Sequence, residues 1–322
     1  MASRWGENDQ LFFAVIPVRA FGHAAFAHTE FGKLNAIARS AVYCDSFRDL
    51  ILRAHPDMTM TAYLDESGTH GASAVTQVLG GFIAGEEGWM AYERDLESLF
   101  KQHNVEYFHA IKLRNRKGPF KHFNDATQAI FIHDFYELVD RHLAYGFAVS
   151  LALQDFLEVY RANKEILPKR FRYDSQYGIC FRFCMSAIRT FMWSHPYECP
   201  VTLVLEGGHR NCGDAVRIYN DAKEELQRRE NDTTFGPMVV ELKKNSLPLA
   251  AADALVHSLF RSKSTGISIP GTKRSSEITM DAVVPRNGSR GISGQTRIQH
   301  FMLNREQLAD VVQMYIEHEK RT

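Results

Sequence analysis

The sequence predicts one α/β domain with a mixed central β-sheet, helices on both faces of the sheet and a helical insertion around residues 155–195. Two observations support this fold class. Two short runs of β-forming residues come first in the predicted fold, and further runs then alternate with stretches whose apolar residues recur at helical spacing. Such alternation is typical of a sheet covered by helices.

The first two strands are predicted to form a hairpin. Residues 62–64 are a short apolar run that stops at Asp65-Glu66-Ser67-Gly68, and residues 75–83 are a second run rich in β-forming residues. The glycine and serine residues between the two runs are typical of a turn. Residues 86–103 then place aromatic residues and leucines on one helical face, which predicts the first helix.

The next part of the chain is predicted to add two strands and two helices. Residues 105–108 predict a third strand, and residues 112–121 predict a basic loop because they combine lysine and arginine with a Gly-Pro pair. Residues 125–142 have apolar side chains at helical spacing. A strand at 147–153 and a helix that begins near Asp155 follow.

The second half of the chain alternates helices with strands. These elements are predicted at residues 174–193, 201–205, 214–229, 238–242 and 249–261. Residues 262–295 are rich in Gly, Ser, Lys and Arg, which predicts a long basic loop or flap, and a final helix is expected at 305–318.

Residues 1–57 show neither sustained helical periodicity nor clean alternation. Two interpretations are open: these residues are an ordered extension, or translation starts at Met58 or Met60 and they are not part of the fold. A signal peptide is a third interpretation, but Glu7 and Asp9 lie where its positive region should be. We expect the domain to span 58–322, with its core at about 60–262.

Composition excludes several classes of protein. The chain has 38 Lys and Arg against 38 Asp and Glu, so any polyanion must be held by a local basic patch or by metal ions rather than by bulk charge. Five cysteines without a CxxC pair favour reduced thiols in the cytoplasm. The apolar runs at 11–18 and 247–260 are too short to span a membrane, so no membrane partner is expected.

Three acidic residues lie where chemistry is expected. Asp65 and Glu206 each follow an apolar strand directly, and Asp253 lies in a helical segment otherwise suited to burial. A buried carboxylate is unfavourable without a counter-charge, so Asp253 requires a partner. If the two strands are neighbours and the helix packs across them, the carboxylates converge on a site for Mg²⁺ or Mn²⁺, which oxygen ligands suit. The alternative is a turn-capping Asp65, a solvated Glu206 and an Asp253 paired with Arg or Lys.

Two motifs resemble those of the DUF3800 family. Tyr63-Leu64-Asp65-Glu66-Ser67-Gly68 is similar to its first-strand motif, and Leu249-Ala250-Ala251-Ala252-Asp253-Ala254-Leu255 is similar to its C-terminal helix motif. The resemblance covers about residues 60–262. It implies an RNase H-like fold and a metal-dependent phosphodiesterase site with Asp65, Glu206 and Asp253 as metal ligands. The chain departs from the family pattern at Ala251, where glutamine is usual, and at Glu206, where aspartate is commoner.

Other polar residues are candidates for the same site. Glu66 is expected to point away from Asp65, so it caps the turn or contributes to catalysis only if the strand has already ended. The resemblance implies a polar motif at His109 and Lys112, in which His109 transfers a proton and Lys112 contacts a phosphate. The alternative is a strand-end histidine and a solvated lysine.

Six basic residues are predicted to contact a substrate: Arg114, Arg116, Lys117, His209, Arg210 and Lys244. The first three belong to a basic cluster with Phe120 and Phe123 interleaved, which suits stacking on single-stranded bases. Two glycines precede His209 and allow close backbone approach. The alternatives are a solvated loop and a short charged turn.

These observations predict a nuclease or other phosphodiesterase that depends on Mg²⁺ or Mn²⁺ and hydrolyses DNA or RNA. Two alternatives remain: a non-catalytic nucleic-acid or protein-binding module on the same fold, and a toxin or phage-defence effector controlled by a regulatory protein partner. An enzyme requires the three carboxylates to lie within about 4 to 6 Å of one another, whereas a binding module predicts an internal salt bridge to at least one of them.

Overall fold

The computed structural model describes residues 59–68, 75–195, 197, 199–207, 211–264, 276–278 and 297–319. Within these residues the strands are β1 (Met60–Ser67), β2 (Thr76–Gly85), β3 (Tyr145–Ala152), β4 (Val201–Glu206), β5 (Phe235–Glu241), β6 (Ser276–Ile278) and β7 (Arg297–Leu303). The main helices are α1 (Glu86–Gln102), α2 (Ala110–Arg114), α3 (Asp125–His142), α4 (Gln176–Ser194), α5 (Cys212–Glu230), α6 (Leu249–Ser264) and α7 (Arg305–Glu319).

The strands form one mixed sheet in the order β5-β4-β1-β2-β3-β7-β6. Strands β1, β2 and β3 are joined as an antiparallel meander, which confirms the predicted hairpin pairing. On one side of the meander β4 runs parallel to β1 and β5 runs parallel to β4. The carboxyl ends of β1, β4 and β5 therefore meet at one edge of the sheet.

Helices cover both faces of the sheet, as predicted. Met60, Ala62 and Leu64 of β1 belong to a core with α4, α5 and α7, whereas the other face packs against α1, α3 and α6. Helix α6 crosses β1 and β2. Because side chains alternate along a strand, Asp65 lies on the α6 face.

Strand β1 continues through the predicted turn, so Asp65 lies inside the strand. It ends before Gly68, whose φ of 98° is a conformation that favours glycine. A Cβ at this position would lie 2.1 Å from the carbonyl oxygen of Thr76. Gly68 therefore has a structural role in the motif that contains Asp65.

The predicted third strand at residues 105–108 is wrong. The segment has no strand assignment, and Val105 and Phe108 are buried in a core of aromatic residues beneath α1 and α3. The ring of Phe108 stacks on that of Phe135 at 4.5 Å between centroids. These apolar residues are buried against helices rather than within the sheet, and the third strand of the sheet is β3.

Two further predictions need correction. The predicted loop at 112–121 contains α2 and a 3₁₀ turn at Gly118–Phe120. Phe120 and Phe123 are buried among other phenylalanines, so they are not placed to stack on bases. The helix predicted near Asp155 is an irregular segment, in which a helical turn at Leu153–Asp155 leads into π-helical and 3₁₀ turns.

The remaining predicted helices and strands are observed within a few residues of their expected bounds. Residues 1–57 and most of 262–295 lie outside the described residues, although Ser276–Ile278 forms β6 within the predicted basic flap. In the described part of the chain, every helix is too short or too polar to cross a membrane.

Candidate active site

Strand register brings Asp65 and Glu206 together. Leu64 of β1 is the partner of Leu205 of the parallel strand β4, so the next residue on each strand lies at the same level. Helix α6 packs across β1 and places Asp253 over this edge of the sheet. The expectation that the two strands are neighbours is therefore confirmed, whereas the helix crosses β1 and β2 rather than β1 and β4.

A lysine lies at the centre of the three carboxylates. Lys243 belongs to a 3₁₀ turn at Lys243–Asn245, just after β5. Its Nζ is 2.8 Å from Oδ2 of Asp65, 3.2 Å from Oδ1 of Asp253 and 4.0 Å from Oε1 of Glu206. The carboxylates thus surround one cationic group, and the internal salt bridge expected of a binding module is present.

Burial disfavours the charged forms of the side chains in this cluster. Asp65 is only 1% exposed and Asp253 only 5% exposed. Burial raises the pKa of Asp65 well above its usual range, and the charges of Asp253 and Glu206 raise it further, although the attraction of Lys243 opposes them. Burial also disfavours the charged form of Lys243, but the three carboxylates raise its pKa above the usual value and keep it an ammonium.

Asp253 uses its second oxygen to hold α2 against the site. The backbone N–H of Ala110 donates to Oδ2 of Asp253 at 2.8 Å, and Nδ1 of His109 lies 3.7 Å from the same oxygen. Burial lowers the pKa of His109, with Lys243 and Lys112 adding to the effect and Asp253 opposing it. The prediction that buried Asp253 requires a partner is confirmed on both of its oxygens.

Glu66 is not part of the cluster. Its side chain lies on the other face of the sheet, where its charge acts on Tyr177, Cys180 and Cys212. The reason is the alternation of side chains along β1, which continues past Asp65. Glu66 contributes to the site through its backbone N–H, which donates to Oδ1 of Asp65 at 2.7 Å.

The predicted substrate residues around α2 have separate environments. Lys112 donates to the hydroxyl of Tyr107 at 2.6 Å and lies over its ring, so it is held beside the site rather than in the acidic cluster. Arg116 is exposed and pairs with Asp125 at 2.7 Å. Arg114 and Lys117 are also exposed.

The remaining predicted substrate residues divide into two groups. His209 and Arg210 lie outside the described residues. Lys244 is exposed, whereas its neighbour Lys243 enters the site. The substrate role predicted for Lys244 stays a prediction, and the lysine that reaches the carboxylates is its neighbour.

The sequence prediction missed Lys243 and His257. Lys243 follows β5, whose carboxyl end meets those of β1 and β4, and this position was the available signal. His257 lies one helical turn after Asp253 on α6, a spacing that places both residues on one face. Burial lowers the pKa of His257, which is within electrostatic range of Asp253 and Arg114.

The cluster fits a cation in its chemistry but not a metal in its present spacing. Carboxylate oxygens are the ligands that Mg²⁺ and Mn²⁺ prefer. Among the residues that the structure describes, no set of three His, Cys, Asp or Glu side chains is arranged to hold a metal ion. The carboxylates are instead arranged around the ammonium of Lys243.

Two comparisons of the sequence with known proteins find no match. No family model matches the chain, and no curated protein is significantly similar to it in sequence. The resemblance to the DUF3800 family therefore stays a prediction that rests on the two motifs.

Proposed function

We propose that the chain is a cytoplasmic phosphodiesterase that hydrolyses nucleic acid with the help of Mg²⁺ or Mn²⁺ bound by Asp65, Glu206 and Asp253. The proposal includes an RNase H-like fold, with which the mixed sheet and the parallel neighbours of β1 are compatible. Free thiols at the four described cysteines agree with a reducing compartment.

One observation carries the proposal: three carboxylates from β1, β4 and α6 gather around a single cationic centre. Two of them are almost completely buried. Burying like charges together destabilises a fold, and such arrangements are concentrated at functional sites. A cation-dependent site accounts for this arrangement better than a structural role does.

The residues of the proposed site have different roles. Asp65, Glu206 and Asp253 bind the cation, which when bound activates water and neutralises charge on a phosphate. His109, next to Asp253 and partly exposed, is placed to exchange a proton with substrate or water. Lys112, Arg114, Arg116 and Lys117 present positive charge along α2 and the segment after it, where a nucleic-acid backbone can be held.

The second candidate function is a non-catalytic nucleic-acid or protein-binding module. The observation that favours it is Lys243, which neutralises part of the acidic cluster from within the chain. An effector released by a regulatory protein partner is a variant of the first function. It shares the same catalytic residues and differs only in control.

Cleavage assays with the full chain test the two candidates. Labelled single-stranded and double-stranded DNA and RNA are incubated with Mg²⁺, Mn²⁺ or EDTA, and the parent is compared with Asp65→Asn and Asp253→Asn. We expect cation-dependent cleavage that falls by at least about 100-fold in both variants, because each loses a charged cation ligand.

Asp221→Asn is the matched control, since it removes a carboxylate that is half exposed and pairs only loosely with Arg217, at 3.5 Å. This variant should cleave like the parent. Equal cleavage by all four proteins would indicate a contaminating nuclease, and no cleavage by any of them would favour the binding module.

A further inference from the structure

Lys243 occupies the position at which a cation would be shared by the three carboxylates. Its Nζ lies nearer to Asp65 and Asp253 than to Glu206, and the side chain is 21% exposed. A lysine ammonium is a compact charge on a flexible stem, so it can leave such a position without movement of the backbone. The site therefore contains its own competitor for a bound cation.

Lys243 is both the charge partner and the hydrogen-bond partner of Asp65. Oδ2 of Asp65 is buried and lies 2.8 Å from the ammonium. The hydrogen bond and the charge of Lys243 both lower the pKa of Asp65, against the larger effect of burial. A second cation that binds this buried oxygen must therefore take the place of Lys243.

The turn that carries Lys243 is anchored independently of its side chain. Oε1 of Glu241 accepts the backbone N–H of Leu242 at 2.9 Å and the side-chain amide of Asn245 at 3.0 Å. These bonds hold the turn on both sides of Lys243. The ammonium can therefore exchange between the cluster and solvent while the turn stays in place.

The charges of the cluster favour displacement of the Lys243 ammonium by a divalent cation. Three carboxylates share one ammonium, so a formal excess of negative charge remains when all of them are ionised. A divalent cation would offset more of this charge than the ammonium does. A cation of higher charge thus has an electrostatic advantage over the lysine.

We propose that Lys243 is an exchangeable internal counter-ion that holds the acidic cluster together when no divalent cation is bound and is displaced when one binds. The inference rests on the proposed function, because it assumes that the cluster is a cation site. It adds that the apparent cation affinity is reduced by the fraction of time for which the lysine occupies the site. A higher cation concentration is then needed to half-saturate the site than would be needed without this lysine.

Manganese binding tests the exchange without reference to cleavage. The full chain is titrated with MnCl₂, and free Mn²⁺ is followed by electron paramagnetic resonance. We expect Lys243→Met to lower the dissociation constant by at least about tenfold, since removal of the competitor leaves the carboxylates available. Lys243→Arg keeps a cation in place and should show no gain. Lys244→Met is the matched control on the exposed neighbour and should bind like the parent.

A double variant assigns the effect to this cluster. Adding Asp65→Asn to Lys243→Met should abolish the gain, because the most buried ligand loses its charge. Equal Mn²⁺ affinity of the parent and Lys243→Met would overturn the proposal. Tight Mn²⁺ binding by Lys243→Met without nucleic-acid cleavage would refute the phosphodiesterase and leave the exchange supported.

Chemical labelling gives a test that needs no substitution, in case Lys243→Met does not fold. The parent is treated briefly with acetic anhydride, with and without saturating MnCl₂, and acetylation of each lysine is measured by mass spectrometry. Exchange predicts that Mn²⁺ increases the labelling rate of Lys243 several-fold relative to Lys244. An unchanged ratio of the two rates would overturn it.

Discussion

Asp174 and Asp65 are both almost completely buried, and they are neutralised in different ways. Asp174, just before α4, accepts a hydrogen bond from Nε of Arg182 at 2.7 Å and another from Nη2 of Arg217 at 2.7 Å. Asp65 shares the single ammonium of Lys243 with Asp253 and Glu206. Asp174 therefore has two guanidinium partners, whereas Asp65 shares a single ammonium with two other carboxylates.

The difference separates a structural ion pair from a candidate site. Charged groups inside a protein are tolerated when their hydrogen bonds and counter-charges are complete, as at Asp174. An excess of one sign is unfavourable for folding and is therefore expected where a ligand completes the charge balance. The surroundings of Asp65 fit the second description, so burial of a carboxylate alone does not identify a functional residue.

The largest effect on stability is expected at Asp174. Asp174→Asn should lower the free energy of unfolding by about 3–5 kcal/mol, because the guanidinium of Arg182 stays buried without its counter-charge. Urea denaturation measures the change. Asp221→Asn, at the half-exposed partner of Arg217, should change it by less than about 0.5 kcal/mol. Similar losses in the two variants would contradict the structural role of Asp174.

Arg217 should make a smaller contribution to the same pair. Arg217→Gln is expected to lower the free energy of unfolding by about 1–2 kcal/mol, since this side chain is 35% exposed and Asp174 keeps the paired nitrogens of Arg182. The same denaturation experiment tests it. A loss as large as that of Asp174→Asn would show that the outer arginine, rather than the buried one, holds the network.

The smallest effect is expected at Asp65, with the opposite sign. In EDTA at pH 7, Asp65→Asn should raise the free energy of unfolding by about 1 kcal/mol. Burial and, after it, the charges of Asp253 and Glu206 raise the pKa of Asp65 against the attraction of Lys243, so the folded state disfavours the ionised form that the neutral amide removes.

Thermal unfolding of this variant, beside Glu97→Gln as an exposed control, measures the gain. A loss of stability comparable to that of Asp174→Asn would remove the distinction between the two aspartates. The cluster would then be a structural ion pair of the same kind as the arginine network.

Local sequence patterns were sufficient to predict most of the helices and strands. Helix α3 begins and ends where its apolar spacing predicts, and Asn124 caps it by accepting the N–H of Thr127 at 2.8 Å. Residues 105–108 show where such signals fail. A short apolar run has the same composition whether its side chains are buried by a sheet or by helices, and here the aromatic core beneath α3 buries them.

Some residues of the site were also predictable from local sequence patterns. Asp65 and Glu206 were recognisable because each lies at or near the end of an apolar strand, and Asp253 because a charge inside an apolar helix requires a partner. Glu66 was ambiguous because its role depended on where β1 ends. The strand continues to Ser67, which places Glu66 on the other face.

The sequence by itself determined the alternation of strands and helices, the three acidic residues and the need for a partner at Asp253. Tertiary structure alone decided that this partner is Lys243 and not its neighbour Lys244. The physical reason is that an ion pair between residues far apart in the chain depends on strand order and register. Because β5 lies parallel to β4, and Leu205 of β4 is level with Leu64 of β1, the turn after β5 delivers one lysine to carboxylates from three other elements.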